Sequence, residues 1–141
     1  MQLSPPARFR DPATRSAAGW TAIRLALAML LAIHGWARLL ADAVMPFGDW
    51  LDGLGLPFGF GIAAAITAFE IVGTVFLALG RFVFPLSLGF SAIYATGIAL
   101  VHAPAGWFVV GLGRNGSEYS VLLIVCLLAV GLQYVRTPRA P

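Results

Sequence analysis

The sequence predicts an all-α integral membrane protein: a four-helix bundle with both termini cytoplasmic and a short interfacial helix in its first outer loop. Three observations carry that prediction. The 141-residue chain is 60% hydrophobic and only 11% charged, far below the roughly 25% charged typical of soluble domains. Four apolar segments, at about 18–41, 60–80, 82–103 and 118–135, are each long enough for the hydrocarbon core of a bilayer. The basic residues, nine arginines and no lysine, fall mostly on one side of those segments.

Seven arginines (Arg8, Arg10, Arg15, Arg24, Arg81, Arg136 and Arg139) lie on the side of the termini, and two (Arg38 and Arg114) on the other. Cytoplasmic loops carry the excess of positive charge, so the termini are expected inside and the two longer loops outside. The net charge of +3 is then a topology signal and not a nucleic-acid footprint. Cys126 is the single cysteine, so the chain has no dithiol chemistry of its own, and packing accounts for this residue.

Residues 1–17 and 136–141 are polar, Pro- and Arg-containing, and are expected to be poorly ordered cytoplasmic tails flanking a membrane domain over 18–135. Basic residues before an apolar run, followed by Ala41-Asp42-Ala43, superficially resemble a secretory signal. The run is too long for a signal core and is interrupted by Arg24, so cleavage is not expected.

Span one, RLALAMLLAIHGWARL, carries Arg24, His34 and Arg38. Hydrocarbon cannot solvate such groups, and they require partners on neighbouring helices, a watery cavity or the interface. Arg24, Leu31, Gly35 and Arg38 share one helical stripe, with His34 beside it, and Gly35 permits close approach of another backbone. Counting helical rise places Arg24 in the inner leaflet and His34 and Arg38 in the outer.

The loop after it, VMPFGDWLDGLGLPFGFG, reads as an interfacial helix begun by Pro46, with Phe47, Trp50, Leu51 and Leu54 on one face and Asp49 and Asp52 on the other. It could lie over the bundle like a lid or serve only as an aromatic belt.

Span two holds the polar stripe Thr67, Glu70, Thr74. An acidic residue near the midplane costs about 2.5–3.5 kcal/mol on insertion scales, so Glu70 needs a partner. By depth Arg24 is the nearest cation, about 6 Å away along the bilayer normal, and an Arg24–Glu70 pair is expected. Gly80 and Arg81 make a tight cytoplasmic turn. Span three has Pro85 in its first turn, then Ser87, Ser91 and Tyr94 on one face, with Tyr94 near the depth of Glu70, and ends at His102. In the second outer loop Trp107 and Phe108 anchor the interface; Ser117 suits an N-cap, and Glu118 the positive start of span four. Tyr119, Cys126 and Gln133 recur every seven residues along that span and are expected to face the bundle.

Stacked by depth, His34, Arg38, His102, Glu118 and Tyr119 gather near the outer face, with Glu70 and Tyr94 below and Arg24 lower still. A polar wedge inside a membrane bundle is the default ligand-pocket hypothesis, though polar residues also collect at span ends without function. No cluster with metal-ligand spacing accompanies it.

The blocks RLALAMLLAIHGWARL, WLDGLGLP, FEIVGTVFLALG and GWFVVGLGRNGSEYSVLLI, in this order, resemble the DoxX family of small bacterial membrane proteins over about residues 20–135. Arg24, Glu70 and Glu118-Tyr119 match its recurring polar positions, and the His34-Gly35 to Arg38 block its H-G-x-x-K/R pattern. The resemblance implies a four-span protein of the bacterial cytoplasmic (inner) membrane, linked to respiratory quinone chemistry or oxidative-stress redox systems as an accessory subunit. The partners expected are the lipid bilayer, other redox or membrane subunits, or a second copy of this chain; no nucleic acid is expected. It supplies no catalytic assignment.

Three readings follow. In the first, the wedge holds a quinone head group, with donors from His34, Arg38, Tyr94 or Tyr119 and proton uptake by Glu70 or Glu118. In the second, His34 and His102 ligate a haem b, a reading disfavoured because histidines at span ends are more often interfacial. In the third, the chain is a structural or assembly subunit, or a small transporter, and its buried charges are packing glue.

Overall fold

A computed structural model describes residues 11–135, and everything described is helix, turn or loop. The helices are α1 (Pro12–Leu40), α2 (Val44–Gly53), α3 (Gly59–Ala78), α4 (Val83–Ala105) and α5 (Glu118–Leu132). Three of them, α1, α3 and α4, are long and apolar enough to cross a membrane; α5 is apolar but shorter, at 15 residues. The exterior agrees with a lipid environment, since Met29, Ile33, Leu79 and Leu122 are all more than half exposed, a surface that would drive a water-soluble chain to associate.

Helix α1 starts earlier than the hydropathy indicates. Asp11 caps it, its carboxylate accepting from the Ala13 and Thr14 amides at 3.3 and 2.9 Å and from the Thr14 hydroxyl at 2.7 Å, with Pro12 at the first helical position. Residues 11–17, expected to be tail, are therefore the first turns of this 29-residue helix. The remainder of the expected tails, 1–10 and 136–141, lies outside the described residues. At its other end the chain turns at Asp42, in the left-handed conformation (φ 51°), and the Ala43 amide closes back on the Arg38 carbonyl at 2.9 Å.

Helix α2 begins at Val44, two residues before the expected Pro46 start. It lies directly across the beginning of α3: a Cβ built on Gly59 would stand 2.2 Å from the Gly48 carbonyl oxygen, so only glycine fits there. The Gly59 amide donates to Asp52 Oδ1 at 2.8 Å, fixing the α2–α3 corner. Leu51 is buried beneath α2, whereas Trp50 and Leu54 remain exposed.

Helices α3 and α4 each contain one π-helical turn, Phe69–Gly73 and Ile98–His102. The Thr74 hydroxyl donates to the Glu70 and Ile71 carbonyls at 2.7 and 2.9 Å, supplying partners where the wider turn loosens the helical ladder.

Helix α1 packs against α3 and α5, and α4 packs mainly on α5, with little contact to α3. The core formed by α1, α3, α4 and α5 includes Leu27, Leu31, Leu77, Phe90, Leu123, Leu127 and Val130. Phe69 and Phe90, with ring centroids 4.5 Å apart, join α3 to α4 in this region, while further along the two helices a space opens between them. The buried face of α5 is Ser120, Leu123, Leu127 and Val130. Of the expected Tyr119–Cys126–Gln133 face, Cys126 packs half-buried against this core and Tyr119 lines the space between the helices, whereas Gln133 is exposed. Leucines and a valine outcompete weakly polar residues for the core, as burial energies require.

Candidate functional site

The space between α3 and α4 is a cavity of about 720 Å³, within the range of small-molecule sites. Every long helix contributes to its wall, as do α2 and the loop before α5. One region of the wall is polar, built from His34, Arg38, Glu70 and Tyr94. Further along α4 lie His102, Asn115 and Tyr119, and between these regions the wall is apolar and aromatic, with Phe47, Trp50, Leu51, Ile62, Ile66, Ile93 and Leu100.

Register explains the polar end. Gly35 brings α1 against α3 so closely that an added Cβ would lie 2.9 Å from Glu70 Cβ and 2.9 Å from Ile71 Cγ1. Glu70 therefore stands level with Gly35, and Arg38, about one turn further along α1, reaches back to it. Arg38 Nη1 donates to Glu70 Oε2 at 2.6 Å and to the Thr67 hydroxyl at 3.0 Å. Thr67 in turn donates to the Ala63 carbonyl at 2.7 Å. The carboxylate side chain is 4% exposed and the guanidinium side chain 19%, so each charge depends on the other. The guanidinium carbon also lies 4.7 Å from the centroid of the Phe47 ring on α2, a cation–π contact that ties the ion pair to the short helix.

The expected Arg24–Glu70 pair does not form. Arg24 is buried at the opposite end of α3, where its Nη1 donates to the Leu77 carbonyl at 2.5 Å and also to the Ala78 carbonyl. It thereby satisfies carbonyls that a helix C-terminus leaves without internal partners, and its guanidinium carbon lies 5.9 Å from the Tyr134 ring centroid. The register is set where Gly35 stands level with Glu70; Arg24, eleven residues earlier on α1 and therefore about 16 Å along its axis, lies beside the end of α3 and not at the depth of Glu70.

His34 lines the cavity with its Nδ1 donating to the Leu30 carbonyl at 2.9 Å. Its ring meets Tyr94 edge-on, with centroids 6.1 Å apart and planes at 86°. The Tyr94 hydroxyl is buried with no hydrogen-bond partner; the Glu70 contact expected from matching depth is absent. His102 Nδ1 donates to the Asn115 carbonyl at 2.8 Å. That bond depends on Asn115 standing in the left-handed conformation (φ 62°), a position Asn tolerates better than most residues.

Of the residues expected in the wedge, His34, Arg38, Glu70, Tyr94, His102 and Tyr119 line this one cavity, and Arg24 and Glu118 do not. Glu118 Oε1 accepts from the Val109 amide at 2.8 Å and so braces the loop before α5. Ser117 makes no N-cap bond; its hydroxyl donates to the Gly106 carbonyl at 3.3 Å. Sequence reasoning missed Asn115, whose contribution is a backbone carbonyl, and the two π turns that carry Glu70 and His102. The Arg-Asn-Gly turn was a signal for the first; nothing in the composition marks the second. Among the described residues no group of three or more His, Cys, Asp or Glu side chains could hold a metal ion.

Residues 19–103 match the DoxX family model, which takes in α2, α3, most of α1 and nearly all of α4. No curated protein and no solved structure matches the chain.

Proposed function

This chain belongs to the DoxX family, and from that premise we propose that it is a four-span accessory subunit of a quinone-linked membrane redox system, holding a quinone head group in the cavity between α3 and α4. The observation that carries the reading is the cavity's composition: a buried Arg38–Glu70 pair beside Tyr94 and His34 at one end, and apolar and aromatic walls beyond it. A quinone has the matching character, polar at two ring oxygens and apolar elsewhere, and its binding site must supply polar groups at membrane depth. On this reading His34 and Tyr94 contact the head group, Arg38 and Glu70 set the local charge, and Phe47 and Trp50 close the cavity from α2.

Helix α5 is the fourth span. Its 15 residues rise about 22 Å, short of a full crossing, and the loop before it covers the outer end. That loop is bonded onto itself through Gly116 N to Phe108 O and Ser117 N to Gly106 O, at 3.1 and 3.0 Å. The arginine split supports a topology with both termini in the cytoplasm and the cavity toward the outer face. The test is an oxidised-minus-reduced ultraviolet spectrum of protein purified in mild detergent and loaded with a short-chain benzoquinone. A quinone difference band should accompany the wild-type protein through gel filtration and be lost from a His34→Leu/Glu70→Gln double variant. A wild-type protein that retains no quinone overturns the reading.

A second reading, a non-catalytic assembly subunit, draws on the loop after α4. Trp107, Val110 and Leu112 are 54%, 79% and 89% exposed, an apolar tip suited to a partner subunit or the membrane interface. Haem b is poorly served. His102 is eight residues beyond Tyr94 on α4, about 12 Å along the axis, while His34 packs on Tyr94 itself. Two axial ligands of one iron stand far closer than that offset.

A further inference from the structure

At the end of the bundle away from the cavity, cations gather without carboxylates. Of the six acidic residues, Asp42, Asp49, Asp52, Glu70 and Glu118 belong to α2 and its flanks, the cavity or the start of α5. The sixth, Asp11, caps α1, about 20 Å along that helix from Arg24. Arg24 itself is 8% exposed. The two N–H groups of its Nη1 serve the Leu77 and Ala78 carbonyls, and its Nε is buried with no partner. A carbonyl is a dipole and not a counter-charge, so these bonds orient the guanidinium without neutralising it.

The guanidinium lies against the turn that follows α3. A Cβ on Gly80 would stand 3.5, 3.6 and 3.7 Å from Nη1, Cζ and Nη2, so the guanidinium plane faces the Gly80 backbone. The turn is tightly held: Gly80 and Phe82 are left-handed (φ 71° and 54°), the Gly80 amide donates to the Leu77 carbonyl at 3.1 Å, and the Arg81 amide to the Phe76 carbonyl at 2.9 Å. The Phe82 ring meets Phe76 edge-on, with centroids 5.9 Å apart. Arg81, next to Gly80, is exposed, and Leu79 and Phe82 on either side are 66% and 69% exposed. Two cations of one corner, bordered by exposed hydrocarbon at the end of membrane helices, match a ligand that brings negative charge and acyl chains together. We propose that this corner binds the phosphate of an anionic phospholipid, with Arg24 and Arg81 toward the phosphate and Leu79 and Phe82 toward the chains. On the proposed topology the lipid belongs to the cytoplasmic leaflet. Neither arginine lines the cavity, and the site is independent of what the cavity holds.

The experiment is native mass spectrometry of the full chain in mild detergent, titrated with phosphatidylglycerol or, for comparison, with zwitterionic phosphatidylcholine of the same chains. An arginine at the membrane surface is worth about fivefold in binding an anionic lipid, so phosphatidylglycerol should bind at least about fivefold tighter. Arg81→Gln, a change at an exposed turn, should lower the phosphatidylglycerol affinity about fivefold and leave phosphatidylcholine unchanged. Arg24→Gln should lower it likewise in the folded fraction. Arg15→Gln removes the same charge from α1 about 14 Å further along the helix, beyond the screening length at physiological salt, and should leave both affinities unchanged. Equal binding of the two lipids overturns the proposal. So does an Arg15→Gln loss as large as that of Arg81→Gln, which would mark a general surface charge and no site. Displacement of the lipid by millimolar inorganic phosphate would assign the corner to a free anion and equally overturn the lipid assignment.

Discussion

Arg38 and Glu70 meet at 2.6 Å across the crossing of α1 and α3, and the tightness of that crossing at Gly35 decides which of the two buried arginines serves the carboxylate. Removing one member of a buried pair leaves the other uncompensated, at a cost of about 3–5 kcal/mol. Arg38→Ala should lie near the lower end, because 19% of the Arg38 side chain is exposed. Arg38→Met/Glu70→Met should recover most of the loss. Reversible unfolding in mixed micelles checks both, and a double variant no better than the single one would contradict the pairing.

Gly35 admits no side chain without displacement of α3, since the new Cβ would sit 2.9 Å from Glu70 Cβ. Overpacking at such a contact costs about 1–3 kcal/mol. Gly35→Ala should therefore lower the thermal midpoint and weaken ligand retention together, whereas Gly19→Ala, where the added Cβ meets nothing within 4 Å, should leave both unchanged.

Arg24 separates stability from the cavity. Its bonds go to the carbonyls ending α3, and it lines no part of the pocket. Arg24→Met should destabilise the fold by about 1–3 kcal/mol, through loss of charge-assisted bonds to carbonyls, while the affinity of the folded fraction for a short-chain benzoquinone stays as in wild type. Loss of binding with an unchanged midpoint would contradict this division.

Asp11 gives the start of α1 a pH dependence. Its carboxyl is held below the ordinary value of 3.8, first by the Thr14 hydroxyl and then by the Thr14 and Ala13 amides. A depressed native value means that the cap contributes fully above the unfolded value and is lost as pH falls through the native one. Amide exchange at residues 13–15 should accelerate, relative to the intrinsic rate, below pH 3.8, and Asp11→Ala should show faster exchange than wild type above pH 3.8, a difference that closes as pH falls through the native value.

Orientation is testable with single cysteines in a Cys126→Ala background. Thr14→Cys should react with a membrane-impermeant maleimide only after inverted vesicles are prepared, and Gly113→Cys only on intact cells. The reverse pattern would refute the assigned topology.

Hydropathy made α1, α3 and α4 legible in the sequence, and the alternation of aromatic and acidic residues made α2 legible. Most of the cavity was legible too, because His34, Arg38, Glu70, Tyr94, His102 and Tyr119 are residues a membrane helix does not carry on its lipid face. The pairing of Arg24 was not. It depended on how α1 is aligned along α3, which the close contact of Gly35 with Glu70 sets and which no apolar count detects. The π turns around Glu70 and His102 were equally hidden, since they differ from α-helix in hydrogen bonding and not in residue type. Of the Tyr119-Cys126-Gln133 series Gln133 misled, because a seven-residue recurrence of mild polarity competes with a stronger leucine face one position away.

The two buried arginines also differ in what a membrane voltage does to them. Each unit of charge carried through the field is worth about 2.3 kcal/mol per 100 mV. Arg38 and Glu70 sum to zero at nearly one depth, so the field exerts almost no net force on the pair, and a neutral ligand beside it binds with an affinity independent of energisation. Arg24 is met by carbonyl dipoles and the Tyr134 ring and, among the described residues, by no carboxylate. On the proposed topology, in a cell negative inside, its charge favours the end of α1 where it lies facing the cytoplasm, and the potential that energises the membrane would also hold this helix in its orientation.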